Sequence, residues 1–320
     1  MRSSRGFAPL VVLLSVVSVT HRLAHADATH DLLRTEATVP PSVSVLPGIS
    51  GRIVVSEQVD FGAQMDDDRG SMSRARTWSL LEVERRLDDR WSIRFEAELE
   101  VDLYEIRQSE RIFAGPGRLL DTGIRTHLEP GVDWRLSSDW KLGVDVAVET
   151  TSVPGASLGD AYTFSPSAYV WHRFSPSVAL RFGLSVFAYL DDSPLIVPFI
   201  APDDVDATSP TKWRFEGRGT GGRFGYAFTP SLTLGVAAAY DRRDWRLAPD
   251  DRVPGGIARD IRASFGVFAE VATRDRFMLG LEVGFTAYQK FEIADRDGNA
   301  LTRVEAEPSA YLAFSLGWRF

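Results

Sequence analysis

The chain has no cysteine among its 320 residues. That excludes disulfides, thiolate metal sites and a lipid anchor on cysteine. Histidine is scarce, with 5 in all, and only His30, His127 and His172 lie beyond the first 26 residues. Long apolar runs are also missing. The longest, Phe7 to Val19, falls short of the ~20 residues that a membrane-spanning helix needs. No stretch longer than a few turns carries a helical period, so an α-helical domain is not expected. A positive charge balance is absent too. The formal net charge is −8, which makes nucleic acid a poor partner.

What is present is alternation. In the last stretch Val304, Ala306, Ala310, Leu312, Phe314, Leu316, Trp318 and Phe320 share one parity. Arg303, Glu305, Glu307, Ser309, Tyr311, Ser315 and Arg319 share the other. A period of two puts successive side chains on opposite faces, so it predicts a strand. The same pattern recurs upstream. Trp91, Ile93, Phe95, Leu99, Val101 and Leu103 alternate with Arg94, Glu96, Glu98, Glu100 and Asp102. Phe277, Leu279, Leu281, Val283, Phe285 and Phe291 oppose Glu282, Lys290 and Glu292.

Five short polar connections punctuate these runs, at 87–91, 136–140, 174–178, 228–232 and 273–277. Each has the turn residues that hairpins require between apolar or aromatic bookends. Longer loops are expected near 64–73, 106–121, 152–161, 191–211, 247–257 and 294–303. Long and short connections then alternate, which predicts twelve strands between about 50 and 320. Sandwich strands typically run only ~5–6 residues, so strands of a dozen or more argue for a barrel.

The beginning of the chain supports export. Arg2 and Arg5 precede the apolar run, and Ala24-His25-Ala26 supplies small residues two apart. This is the layout of a signal peptide cleaved after Ala26. The domain expectation is a signal peptide at 1–26, a periplasmic linker at 27–49 and a barrel at 50–320.

With these features the chain resembles bacterial outer-membrane β-barrel proteins. The paired Phe-Ser/Thr-Pro-Ser turns at 174–177 and 228–231, and the Asp295-Arg296-Asp297-Gly298-Asn299 loop, look like an uncharacterised family of that class, a domain of unknown function. The resemblance implies an all-β fold, a single transmembrane antiparallel up-and-down barrel in the bacterial outer membrane. It implies outer-membrane lipids, lipopolysaccharide and the barrel-assembly machinery as partners. It also implies an assembly signal in Phe314, Leu316, Trp318 and Phe320. Both chain ends would sit with the short turns on the periplasmic side. Trp91, Trp140, Phe174, Phe228, Phe277 and Phe320 would form an aromatic girdle there.

Twelve strands would give a backbone diameter of roughly 24 Å, of which at most ~12 Å stays open between inward side chains. The candidate lumen-lining residues are Glu96, Glu98, Glu100, Asp102, Arg125, Glu129, Arg135, Arg181, Arg214 and Glu282. Three uses compete for such charges. They can pair and stiffen the wall, they can form a selective pore for small solutes, or they can catalyse. The ladder Glu96, Glu98, Glu100, Asp102 would favour cations in a pore.

Catalysis is weighed through the outer-membrane phospholipase class, which carries Ser and His on the lipid-facing wall. His127 has inward parity, and His172 has no Ser two residues away. The expectation is a barrel that is not an enzyme, with no cofactor and no metal site. The Asp295–Asn299 segment reads as an Asp-Gly hairpin tip rather than a calcium loop.

Two features stand apart. Pro194 to Ile200 is apolar within the longest expected loop and could fold back as a lid. Glycines at 217, 219, 221, 222 and 225 crowd one expected strand and suggest a bend.

Overall fold

The structure, a computed structural model, describes residues 48–66, 70–113, 119–175, 178–190, 193–203, 212–218, 221–273 and 276–320. The expected leader at 1–26 and all but the end of the linker lie outside the described residues.

Among the described residues there are 15 strands. They are β1 (Ile49–Gln64), β2 (Ser71–Arg86), β3 (Trp91–Arg107), β4 (Thr122–Arg135), β5 (Trp140–Ser152), β6 (Tyr162–Ser175), β7 (Val178–Phe187) and β8 (Leu195–Asp203). There follow β9 (Trp213–Arg218), β10 (Gly221–Thr229), β11 (Leu232–Arg246), β12 (Ile257–Ala272), β13 (Phe277–Ala294), β14 (Ala300–Ala306) and β15 (Ser309–Arg319). None of the described helical turns is long and apolar enough to cross a membrane.

The strands form one sheet in the order β8-β7-β6-β5-β4-β3-β2-β1-β15-β13-β12-β11-β10-β9, with β14 beside β13 and off that path. All successive neighbours on this path pair antiparallel. Its two ends, β8 and β9, approach within 8 Å at Cα. Strands from opposite arcs of the order touch inside. The sheet is therefore curled into a barrel. The first and last wall strands join from Arg52↔Arg319 to Asp60↔Tyr311.

Local chemistry sets the short turns. Asp88 Oδ1 accepts the backbone N–H of Arg90 (2.7 Å) and Trp91 (2.8 Å). Thr229 Oγ1 does the same for Ser231 and Leu232, at 3.2 and 3.0 Å. Such side-chain acceptors fold the chain back within a few residues and fix the register of the hairpin. The outer face is apolar and uncovered. Val144 is 55% exposed and Val267 61% exposed, both in mid-strand.

Among the described residues the wall holds two strands more than the twelve expected. The segment read as a long loop at 191–211 contains β8, so Pro194 to Ile200 is mostly barrel wall and not a lid. Its apolar residues fall on both faces, which hid the alternation. Ile200 is 77% exposed on the outside, and Phe199 packs on Trp171 and Tyr169 inside. β8 also carries Pro198 and Pro202. Proline donates no N–H, and it suits a strand that ends the hydrogen-bonded order. The glycine-rich strand expected at 212–228 is a hairpin, β9 and β10, that reverses between Arg218 and Gly221.

Two other expected strands change face partway. β13 carries a bulge opposite Ala263 and Ser264, after which Tyr288 pairs with Ala263. The extra residue reverses parity. Phe291 is therefore buried inside, not on the outer face with Phe285. The final run is broken at Glu307 and Pro308 into β14 and β15. Val304 is buried inside, whereas Leu312 and Phe314 are exposed outside. The single face expected from Val304 to Phe320 is thus two opposite faces, because proline leaves the ladder.

At the end of the barrel away from the short turns, here the loop end, an apolar core fills the interior. It joins Met65, Met72, Tyr104, Ile112, Leu119, Leu120, Val153, Trp245, Leu247, Phe291, Ile293 and Val304. At this end β11 crosses to β5. Arg246 and Ser152 pair in parallel, and the Val153 N–H donates to the Arg246 carbonyl at 3.0 Å. The mouth is divided there by backbone.

Candidate functional site

The lumen is the candidate site, and its middle is built from the inward positions of β3. Arg125 on β4 donates to Glu98 and to Glu149, each at 2.7 Å. Arg76 on β2 grips Asp102 through two bonds, at 2.8 and 3.1 Å. The same guanidinium reaches across to Asp241 on β11 at 2.8 Å. Arg243 on β11 returns to Glu100, also through two bonds, at 2.8 and 3.1 Å. β3 and β11 stand on opposite arcs of the strand order, so these pairs cross the lumen.

A second group lies beside it. Asp60 on β1 accepts from Arg74 (2.7 Å) and Arg262 (2.8 Å). Arg262 also holds Asp260, and Tyr104 donates to Asp260 at 2.9 Å. The Trp245 indole N–H donates to Tyr104 at 3.2 Å and so ties the charged layer to the apolar core above it. Gly123 on β4 lies under the Trp245 ring, where a Cβ would stand 2.7 Å from ring carbons. Glu100 and Asp102 are 2% and 0% exposed. Carboxylates this enclosed, and each held by two arginines or more, are structural ties in this conformation rather than a ring open to passing ions.

The other side of the lumen, along β5 to β11, has smaller inward side chains. Ala147, Ser165, Ser185, Ala227 and Ala237 are half-buried, and Ala239 is exposed despite its inward parity. Cations there lie over aromatic rings. Lys141 is 4.5 Å and Arg173 5.3 Å from the Trp171 ring centre, and Arg181 is 5.4 Å from that of Tyr169. At the loop end of this side, Gly159, Asp160, Tyr162, Tyr189, Leu190, Arg246 and Arg296 line a cleft of about 340 Å³.

Of the sequence-predicted lining residues, Glu98, Glu100, Asp102 and Arg125 come together in the cross-lumen network. Glu96 is half-buried on the same face of β3. Glu129 meets His127 at 3.3 Å. Arg135 sits at the short-turn rim with Lys141, and Arg181 is on β7. Arg214 is half-buried on β9. Glu282 lies on another wall, bound by Arg223 (3.1 Å) and Tyr311 (2.7 Å). Phe314, Leu316, Trp318 and Phe320 line the outer face where β15 meets β1, and the Phe320 ring covers Gly51.

His127 meets Glu129 at 3.3 Å and Glu149 at 3.4 Å, and Arg125 lies 3.5 Å from its Nδ1. His172 stacks on Trp140 at 3.9 Å, and its Nδ1 lies 3.0 Å from the Asp139 carbonyl. Among the described residues neither imidazole is hydrogen-bonded to a hydroxyl, so the geometry shows no base–nucleophile pair. Asp295 is used by its own turn. It accepts the N–H groups of Asp297 (3.0 Å) and Asn299 (2.8 Å).

Sequence reading missed Asp60, Arg74, Tyr104, Asp241, Arg243, Trp245 and Asp260. One signal was available. Asp241-Arg242-Arg243-Asp244-Trp245-Arg246 abandons alternation, and a strand that is polar on both parities at its end is covered on both faces. The structure shows the cover: Tyr189 lies 4.0 Å from Arg242 on one face, and the Trp245 core lies on the other.

No protein-family model and no curated protein matches the chain. Among the solved structures it resembles are outer-membrane β-barrel channels and porins. An outer membrane channel from Pseudomonas putida F1 is 14% identical, with a TM-score of 0.44, over 88% of this chain and 99% of that one. The P. putida toluene transporter TodX is 9% identical, with a TM-score of 0.42, over 86% and 91%. The NanC porin is 9% identical, with a TM-score of 0.38, over 84% and 100%.

Proposed function

We propose that this chain is a bacterial outer-membrane barrel that passes small solutes along the β5 to β11 side of its lumen. The observation that carries this reading is the asymmetry of the interior. One side is filled by cross-lumen arginine–carboxylate pairs and an apolar core. The other has Ala, Ser and Gly at inward positions and an open cleft at its loop end. The membrane part of the reading is supported by uncovered apolar side chains in mid-strand, such as Val144, Leu184 and Val267. Water would penalise that surface, whereas lipid would not. Export through a cleaved leader, with assembly read from Phe320 and the alternate residues before it, belongs to the same proposal.

A second reading is favoured by the roof itself. A barrel whose mouth is bridged by β5–β11 backbone could be closed and act through its outer loops. Single-channel recording in planar bilayers separates the two. Discrete conductance steps from protein that shows heat-modifiable mobility support passage. Their absence from protein folded by that criterion leaves the closed barrel. Release of fatty acid from phospholipid or lipopolysaccharide would establish a lipid-active enzyme instead.

A further inference from the structure

At the short-turn end, one row of cross-strand neighbours runs around the inner wall. Arg135 on β4 pairs with Lys141 on β5, Lys141 with Trp171 on β6, and Trp171 with Arg181 on β7. Like charges directly opposite each other on adjacent strands destabilise a sheet unless something neutralises them. Arg173 lies next along β6 and joins Lys141 against the Trp171 ring.

Three nearby acids are engaged elsewhere. Asp133 takes the Tyr169 hydroxyl at 2.5 Å and Arg94 at 3.0 Å. Asp145 takes Ser167 and Arg94. Asp88 closes its own turn. Among the described residues, no carboxylate lies within the 4.0 Å of an ion pair to Arg135, Lys141 or Arg173. Trp171 is 4% exposed, and among the described residues neither its indole N–H nor the buried Arg173 Nε has an acceptor. A buried donor left unmade is costly, and two beside these cations create a demand for a negatively charged acceptor.

We propose that Lys141, Trp171 and Arg173, with Arg135 beside them, form a binding site for small organic carboxylates at the short-turn end of the lumen. The carboxylate oxygens would accept from the ammonium, the guanidinium and the indole N–H. The proposal deepens the passage reading, because it gives the passing solutes a charge class, but the site itself can be tested without conduction.

The test is calorimetric titration of the folded, detergent-solubilised full chain with succinate, with butane-1,4-diol as the uncharged control. Wild type binds succinate and not the diol, and the Lys141→Gln/Arg173→Gln variant binds succinate at least tenfold more weakly. Trp171→Phe keeps one aromatic ring and removes the N–H together with the five-membered ring, so it weakens binding severalfold even if the double variant fails to fold. Arg107→Gln, an exposed cation far from the row, leaves binding unchanged. In bilayers under a potassium chloride gradient, the anion-to-cation permeability ratio falls at least threefold in the double variant. Succinate binding without any conductance keeps the site and removes the passage. Conductance with no succinate binding, or with equal binding by wild type and by folded double variant or Trp171→Phe, overturns the site and leaves the passage standing.

Discussion

Arg243 on β11 grips Glu100 on β3 across the lumen, through two hydrogen bonds of 2.8 and 3.1 Å. The pair spans opposite arcs of the barrel, so it ties the wall to itself where backbone hydrogen bonds cannot. Arg243→Ala leaves the enclosed Glu100 with less compensation. Breaking a buried pair on one side costs about 3–5 kcal/mol. Arg243→Met combined with Glu100→Gln should cost less than Arg243→Ala alone. The midpoint of heat-modifiable mobility, compared among the three proteins, checks the order.

Trp245 should dominate the stability of the loop end. Removing a large buried aromatic costs about 3–5 kcal/mol, so Trp245→Ala should lower the unfolding midpoint strongly. Gly123→Val approaches the same ring from below, and overpacking of that kind costs about 1–3 kcal/mol. Both variants should also raise open probability in bilayers, because the ring links the apolar core to Tyr104. Unchanged gating with a lowered midpoint would show that the core supports the wall without closing the mouth.

The acidic ladder should not act as a cation filter. Glu98 is held by Arg125, and Glu100 by Arg243 and Arg76. Glu96→Gln combined with Glu98→Gln is expected to leave the sign of ion selectivity unchanged, as measured by reversal potential. A shift towards anions of threefold or more would return the ladder to the conducting path.

The tip of the β13–β14 hairpin should respond to acid. The Asn299 side chain, and then the backbone N–H groups of Asn299 and Asp297, hold the Asp295 carboxyl below its ordinary 3.8. A depressed folded value means the stabilisation is present above the ordinary value and is lost as pH falls through the folded one. Hydrogen exchange at Asp297 and Asn299, corrected for intrinsic rate, should therefore accelerate below about pH 4, with the rest of β13 unaffected. Asp295→Ala should show the faster exchange at every pH.

Tryptophan fluorescence can read the faces. Trp91 and Trp134 stack on the outer surface at 5.8 Å, and both are exposed. Trp171 and Trp245 are buried inside. In single-tryptophan variants reconstituted in brominated lipid, the first two should be quenched and the last two spared. Absence of quenching at Trp91 and Trp134 would reject the membrane reading, and equal quenching of all four would reject the assignment of faces.

Alternation was legible wherever one face met the interior and the other lay open, as on β3, where Ile93 and Leu99 are exposed and Asp102 is enclosed. It failed where both faces are covered or both are apolar. β8 looked like a loop because Ile196 and Ile200 point out while Phe199 packs inward. The upper part of β13 was read on the wrong face because one inserted residue reverses parity without altering composition. Pro308 marks the break in the last run, but the apolar residues on either side of it keep one parity. The charges of β3 were recognised as inward. Their partners on β11 were not, because pairing across a lumen depends on which strands face each other, and a single sequence states neighbours only along the chain.

The β5–β11 bridge bears on the order of assembly. Ser152 and Arg246 belong to strands with many neighbours between them by either route around the wall. Their alignment needs both arcs already standing, since β5 and β11 are not wall neighbours and meet only where the strands on either side hold them. The roof should therefore be the last element to form. A half-assembled intermediate would pass through the bilayer as an unroofed ring, more permeable than the finished protein.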